Sequence, residues 1–423
     1  MYNLRIKKLL GVFISLFSKN ILEDKSVVII GFGTIATSFL PLLIKNLSPK
    51  RVTVLSEKTD NFHLYPEYPV NYQQETLTQK NYKIILKKYL KPGDILINLA
   101  YRVGTLDLLK LCKDLHCHYL DTCYDIWPGP NVESLALRES VLKKRDFFKG
   151  SKTAVLCHGA NPGMITHFAK RAIQDLAFAH LPQKELVLKI REDWVRIAKE
   201  LNVATLHIAE KDTQRREKES DACTNTWSIQ AFIEECAERV CFAWGTFEED
   251  LRGKIVKKIQ TSGTCRAIEL NTSGALAKAK SWVPSAGPYE GFLIPHTEPF
   301  SIAEFFTEKD KKGKIFYQPT VTFVYHPCEE AVRSAERASQ KDWKIPEDQH
   351  ILCDDIVSGQ DELGALVLRK DTNDIYWFGS SLSIEEVRKI VPNTNATSLQ
   401  VVAGVISGLI TPTGKQVTVR QRS

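Results

Sequence analysis

Glu210, Trp227 and Glu235 fall within one stretch, Leu206 to Glu235 (LHIAEKDTQRREKESDACTNTWSIQAFIEE), and together supply what an organic cation needs. Carboxylates neutralise an ammonium, and an indole face attracts it through the ring quadrupole. A Trp beside acids in a polar, turn-rich stretch is also the pattern of a half-buried core residue with a solvated neighbour face. The stretch by itself leaves both readings open.

A second chemistry-bearing segment lies upstream. Gly31, Gly33 and Ala36 form G-x-G-x-x-A after the β-branched run SVVII and before TIATSFLPLLIKNL, whose apolar residues recur at helical spacing. Strand, tight turn and helix in that order predict a dinucleotide-binding unit. The first glycine permits the turn, the second lets a pyrophosphate approach the backbone, and Ala36 lets the helix pack on the strand. Thr34, Ile35 and Ala36 open the helix, whose N-terminus faces the phosphates. The next strand, RVTVLSEK, ends near Glu57. An acid there accepts hydrogen bonds from both ribose hydroxyls and repels a 2′-phosphate, so NAD is favoured over NADP. The adjacent Lys58 works against that preference, and a solvated strand-end acid is the alternative reading of Glu57.

These residues need elements to position them. At 423 residues the chain predicts two or three domains. The alternation NYKIILKKYL, DILINLA, LDLLKLCKDL, HCHYLDT carries the βαβ rhythm of a doubly wound parallel sheet. Loops at the carboxyl ends of its strands line the cofactor crevice, which selects Leu99 to Gly104 and Asp121 to Asp125. Asp125 and Trp127 in the second loop either border the nicotinamide or serve as turn residues. Asn161-Pro162-Gly163 leads from the sixth strand position into an amphipathic helix, which puts the Asn161 amide at a strand-to-helix junction.

From Glu185 onward short strands joined by turns predict a mixed, largely antiparallel sheet. The expected fold class is therefore α/β, a Rossmann-type sheet plus a second α+β lobe. The expected boundaries are an N-terminal extension over 1–24, an NAD-binding domain over 25–160 and a substrate and dimerisation domain over 161–392. A helix over 393–410 packs back on the cofactor domain, and 411–423 forms an atypical tail.

Composition excludes several classes. The net charge of +7 is spread along the chain, with 43% hydrophobic and 25% charged residues. No basic block is interleaved with aromatic residues, so nucleic acid is not an expected partner, and any preference for amines has to be local. Ten cysteines without a C-x-x-C pair suggest reduced, mostly buried thiols in a cytoplasmic protein. His116-Cys117-His118 alternates across a strand with no second ligand pair, which argues against a metal. The start, MYNLRIKKLLGVFISLF, resembles a signal peptide but lacks a small-residue cleavage site. Its apolar run, Leu9 to Phe17, is too short to span a bilayer, so an accessory helix on a surface or a partner is expected.

The ordered blocks GFG, HGANPGM, HIAE-DTQ, NTWS, AWGTFEE, SWVPSAG, GFLIPH, YHP, DELG, WFGSSLSIEE and NATSLQVV, spread over residues 26 to 408, closely resemble the bacterial homospermidine synthases. These are NAD-dependent members of the saccharopine dehydrogenase-like oxidoreductases. The resemblance implies a homodimer that holds NAD tightly and uses it without net turnover. It implies that two putrescine units are joined: oxidation to an imine, amine exchange with release of ammonia, and reduction by the same NADH.

Carried over by matched block, the family's site falls on Asn161, Glu210, Trp227, Glu235 and His296. Trp227 would face the cationic intermediate, Glu210 and Glu235 would anchor ammonium groups, and His296 and Asn161 would orient amines or move protons. From its own surroundings in the sequence His296 reads as a core histidine and Glu235 as a helix-surface acid. The chain departs from the pattern in three places. Asp125 stands where the family carries Glu, still a substrate-facing carboxylate but one methylene shorter. Arg102 introduces a cation beside the crevice, and TPTGKQVTVRQRS does not resemble the family's continuation. The alternatives are a related NAD-dependent oxidoreductase acting on another amine or amino acid, with Arg102 as the one nameable carboxylate partner, or an NAD-binding protein impaired by C-terminal loss.

Overall fold

The computed structural model describes residues 21–410, apart from 130–131, 183–185, 187, 219, 249–254, 262–264, 371 and 373–374. The expected apolar N-terminal helix and the atypical tail lie outside the described residues. Within them, 21–163 with 385–410 form one compact unit and 164–384 form another. No helix among the described residues is long and apolar enough to cross a membrane. All ten cysteines are free thiols, eight of them buried.

The first unit is built on six parallel strands: β1 (Ser26–Ile30), β2 (Arg51–Ser56), β3 (Val70–Gln74), β4 (Ile95–Asn98), β5 (His118–Asp121) and β6 (Ala154–Val155). Their order is β3-β2-β1-β4-β5-β6, the doubly wound arrangement. Every residue of β1 is buried, as a central parallel strand covered on both faces requires. Helices α1 (Thr34–Leu47), α2 (Tyr82–Tyr89), α3 (Thr105–Leu115) and α4 (Ser134–Leu142) make the crossovers. The sequence did not announce β3. Its residues, VNYQQ, lie on the sheet edge and none is fully buried, so no apolar run marks it.

The second unit opens with α5 (Met164–His180) and α6 (Arg191–Glu200). Its sheet comprises β7 (Val203–Asp212), β8 (Arg239–Ala243), β9 (Ile255–Gln260), β10 (Arg266–Ser273), β11 (Lys278–Val283), β12 (Gly287–Phe292), β13 (Thr320–His326), β14 (Gln360–Arg369) and β15 (Ile375–Ser383). The main path is β9-β10-β8-β13-β7-β14-β15, with the β11–β12 hairpin joined through β13. Only β7 and β13 pair in parallel; the other pairs in this sheet are antiparallel. This is the mixed, largely antiparallel sheet expected. Helix α7 (Ile229–Ala237) follows Trp227, and α8 (Glu298–Phe306) and α9 (Glu329–Ser339) complete the described lobe.

The last helices among the described residues, α10 (Ile384–Ile390) and α11 (Ala396–Ile410), follow β15. Helix α11 belongs to the first unit, where Thr34 and Ser398 share a hydroxyl hydrogen bond of 3.1 Å. A Cβ at Gly404 would lie 2.0 Å from the Gly159 carbonyl oxygen, so only glycine permits this approach.

Candidate active site

Strand β7 aims its chemistry through simple alternation. Leu206, Ile208, Glu210 and Asp212 share one face and all four are buried, so an apolar face turns acidic toward the end of the strand. In the parallel register with β13, Glu210 lies beside Tyr325 and Ile208 beside Phe323. Across the antiparallel pair with β14, Asp361 stands opposite Asp212. Tyr325 stacks on Phe323 at 5.4 Å between ring centroids.

The stretch Leu206 to Glu235 resolves into strand β7, short strands at Arg215–Arg216 and Cys223–Asn225, a turn and helix α7. Only Trp227 occupies the turn; Glu210 is on β7 and Glu235 is on α7. Ser228 caps α7 by accepting the Ala231 amide at 3.3 Å. Trp227 immediately precedes that cap, and Phe232 sits four residues past it, their rings edge to face at 5.9 Å. This is a hydrophobic staple, and it fixes the angle at which the chain enters the helix. The same packing immobilises the indole, whose N–H donates to the Tyr325 hydroxyl at 3.4 Å.

Glu235 follows Phe232 by three residues, hence on nearly the same side of α7. Burial pushes its carboxyl well above the ordinary carboxylate range, and the charges of Glu238, Glu210 and Glu234 push it further. Glu235 is nevertheless partly exposed. A carboxyl crowded by protein on most sides yet still accessible has the character of a wall residue. His296, edge to face with Phe323 at 5.5 Å, has its Nδ1 buried without a hydrogen-bond partner, and burial lowers its pKa to about 4. Its imidazole is therefore neutral at physiological pH.

Glu210, Trp227, Glu235 and His296 thus all belong to the second unit, linked through Tyr325, Phe232 and Phe323. The three aromatics were missed as site residues. The signal for Tyr325 was its place in the YHP block, and the signal for Phe232 was its spacing from Trp227 across the cap.

The first unit carries Asn161, Asp125 and the glycine turn. Gly31 has φ +88°, and a Cβ there would lie 2.9 Å from the Ala100 backbone, so both conformation and space demand glycine. A Cβ at Gly33 would meet nothing within 4 Å, which leaves open space above the turn. No side chain caps α1, and Thr37 makes its first intrahelical bond, to Gly33 at 3.0 Å. The amide end of the helix, at Thr34, Ile35 and Ala36, therefore suits an anion. Glu57 is exposed one residue beyond β2. Asn61 donates to the Phe32 carbonyl at 2.9 Å, tying the loop after Glu57 to the turn. Phe32 packs against Phe62 and Tyr72 at 6.0 and 5.4 Å, so the unannounced β3 supports the cradle. These features fit a dinucleotide.

Three residues of the neighbouring loops have local partners. Trp127 is a core residue: 8% exposed, donating to Asp107 at 3.0 Å and packed on Tyr82 at 5.4 Å. Asp125 accepts the amides of Arg102 and Ile126, which ties the two crevice loops together, so its shorter side chain shapes the loop before anything else. Arg102, left-handed at φ 57°, has its guanidinium 5.6 Å from the Tyr101 ring centroid. Asn161 stands out for the opposite reason, because both polar atoms of its amide are buried without a partner. Such an amide costs about 1–3 kcal/mol unless a ligand or water pairs with it.

Comparison with known proteins identifies the family. Residues 27–155 match the family described as the saccharopine dehydrogenase NADP binding domain. Homospermidine synthase of Mesorhizobium japonicum (strain LMG 29417 / CECT 9101 / MAFF 303099) is 37% identical over 404 residues, covering 91% of this chain and 82% of that protein. The Blastochloris viridis homospermidine synthase is 37% identical over 412 residues, covering 92% and 84%. The crystal structure of the Legionella pneumophila homospermidine synthase in complex with NAD superposes with a TM-score of 0.85 at 31% identity, covering 94% of this chain and 85% of that one. The chain belongs to the homospermidine synthase family.

Proposed function

We propose that this chain is a homospermidine synthase: a homodimeric enzyme that joins two putrescine units, releases ammonia and uses NAD without net consumption. The observation that carries the reading is the wall formed by Glu210, Trp227 and Glu235. It combines two carboxylates with a stapled indole in an environment that raises the Glu235 carboxyl above the ordinary carboxylate range, where a cation would favour its ionised form.

Gly31, Gly33, Thr34, Ile35 and Ala36 would hold the NAD pyrophosphate, Glu57 the adenosine ribose, and Asn161 the carboxamide or a substrate amine. Bound there, the nicotinamide supplies a hydride acceptor and then a donor of that hydride. The chain's own residues do the rest. Glu210 and Glu235 neutralise and space the ammonium groups of the diamine. The Trp227 face stabilises the iminium by about 1–2 kcal/mol when water is excluded. Neutral His296, too weak a base at a pKa of about 4 to take an ammonium's proton, can accept a hydrogen bond from the incoming amine and orient it for attack. Asp125 is proposed as a further carboxylate toward substrate, the role that the family resemblance gives it.

Purified protein incubated with putrescine and substoichiometric NAD should yield homospermidine and ammonia, read by mass spectrometry. NAD binding without product would overturn the proposal.

A further inference from the structure

Strand β5 ends on Asp121, a wholly buried carboxyl that the proposed chemistry does not use. Its place in the sheet decides what it reaches. β5 lies between β4 and β6, in parallel register with both. A side chain at its carboxyl end therefore stands between the loops leaving β4 and β6, both of which border the crevice.

Asp121 grips each of them. Its Oδ1 accepts the Cys157 amide at 2.7 Å, just beyond β6. Its Oδ2 accepts the Tyr119 hydroxyl at 2.9 Å and the hydroxyl of Thr105, first residue of α3, at 3.4 Å. Its carbonyl accepts the His158 amide at 2.9 Å. Thr105 passes the link onward, because its hydroxyl accepts the Asp125 amide at 3.0 Å and its own amide donates to the Asp125 carbonyl at 3.0 Å. Burial raises the Asp121 carboxyl to about 7, against the pull of the Cys157, Tyr119 and Thr105 donors and with a further push from Asp125.

The grip on Cys157 has a consequence downstream. Cys157 is left-handed at φ 52°, a conformation that costs a non-glycine residue about 1–2 kcal/mol and persists only where its surroundings hold it. From there the chain runs through His158 to Gly163, closed by a bond from the Gly159 amide to the Pro162 carbonyl at 2.8 Å. Asn161 lies inside this loop, with both amide atoms buried and unpaired. The peptide orientation at Cys157 sets the direction of the loop and so the aim of that amide.

We propose that Asp121 is a positioning residue for Asn161, acting through the Cys157 peptide; this rests on the role proposed for Asn161 above. A double-mutant cycle on the full chain tests it, with kcat for homospermidine measured at saturating NAD and putrescine for wild type, Asp121→Ala, Asn161→Ala and the double variant. With Asn161 present, Asp121→Ala should lower kcat about tenfold, since small misplacements of a binding group carry costs of that order. With Ala at 161 the same change should lower it less than about twofold, because contacts in one chain of action are not additive. Asp121→Asn keeps an acceptor for Cys157 and should lose only a few-fold. It replaces Asp121→Ala in the cycle if circular dichroism shows the alanine variant unfolded. Equal factors in both backgrounds, or wild-type kcat in the Asp121 variants, would overturn the proposal while leaving the role of Asn161 standing. Wild-type kcat in Asn161→Ala would overturn both.

Discussion

The indole N–H of Trp227 donates to the hydroxyl of Tyr325 at 3.4 Å while Phe232 meets the same indole edge-on at 5.9 Å. One ring is thereby held at two points, by a strand and by a helix, before any ligand binds. Trp227→Ala should lower turnover about 10- to 30-fold, the equivalent of a desolvated cation–π contact. Trp227→Phe should keep part of the rate. NAD affinity, measured by titration, should barely move in either variant, because the glycine cradle belongs to the other unit. Equal losses with Ala and Phe would argue against a cation–π role.

Glu235 gives a binding signature that needs no turnover. Its pKa in the folded protein is raised, chiefly by burial and then by Glu238, Glu210 and Glu234. Its contribution to stability is therefore full at pH below the ordinary carboxylate pKa and is lost as pH rises through the raised value. An ammonium brought against it favours the ionised form, so diamine binding should expel a proton. Calorimetry of putrescine binding in two buffers of different ionisation enthalpy, at a series of pH values from the ordinary carboxylate range upward, should show proton release that fades once the free carboxyl is already ionised. Glu235→Gln should abolish the release and weaken putrescine binding. Buffer-independent heats in the wild type would refute the account.

The contrast between β1 and β3 explains how much of the fold was legible. The run SVVII is buried on both faces and announces itself, whereas VNYQQ is an edge strand stabilised by pairing with β2 and by Tyr72 packing under the glycine turn. Only tertiary contact distinguishes it from a loop. Trp127 and Trp227 show the same limit in the candidate site. Both sit among turn residues and acids, yet one is buried against Tyr82 and the other stays partly exposed beside Tyr325. Local sequence cannot separate these fates, because they depend on which elements each ring meets, helices α2 and α3 for Trp127 and strand β13 for Trp227. Family blocks placed Glu210, Trp227, Glu235 and His296, but said nothing of the aromatic chain joining them.

His296 should be silent where histidines usually titrate. Burial lowers its pKa from 6.5 to about 4. Folding favours the neutral ring, so its contribution to stability is full above pH 6.5 and is lost as pH falls through about 4. The acidic limb of the kcat/KM profile between pH 5.5 and 7 should therefore be the same in wild type and in a slowed His296→Asn variant, to within about 0.3 pH units. A limb near 6.5 that disappears in the variant would mean the imidazole is charged in the free enzyme.

Gly404 carries the last prediction, which concerns how the loop around Asn161 is backed. A Cβ on Gly404 would lie 2.0 Å from the Gly159 carbonyl oxygen and 2.4 Å from its carbonyl carbon. These are backbone atoms, so no side-chain rotation can relieve the clash. Four residues on, Gly408 approaches the His158 ring, where a Cβ would lie 2.6 Å from Cδ2. That neighbour is a side chain able to turn. Gly404→Ala should therefore destabilise the first unit by about 2–3 kcal/mol, in the range of overpacked cores, and Gly408→Ala by less. Denaturant midpoints would order the two variants. Should Gly404→Ala fold normally, a lower kcat at saturating substrates would still be expected, because helix α11 can yield only by shifting against the loop that aims Asn161. Wild-type stability together with wild-type kcat would show that the helix and the loop are not in the close contact described.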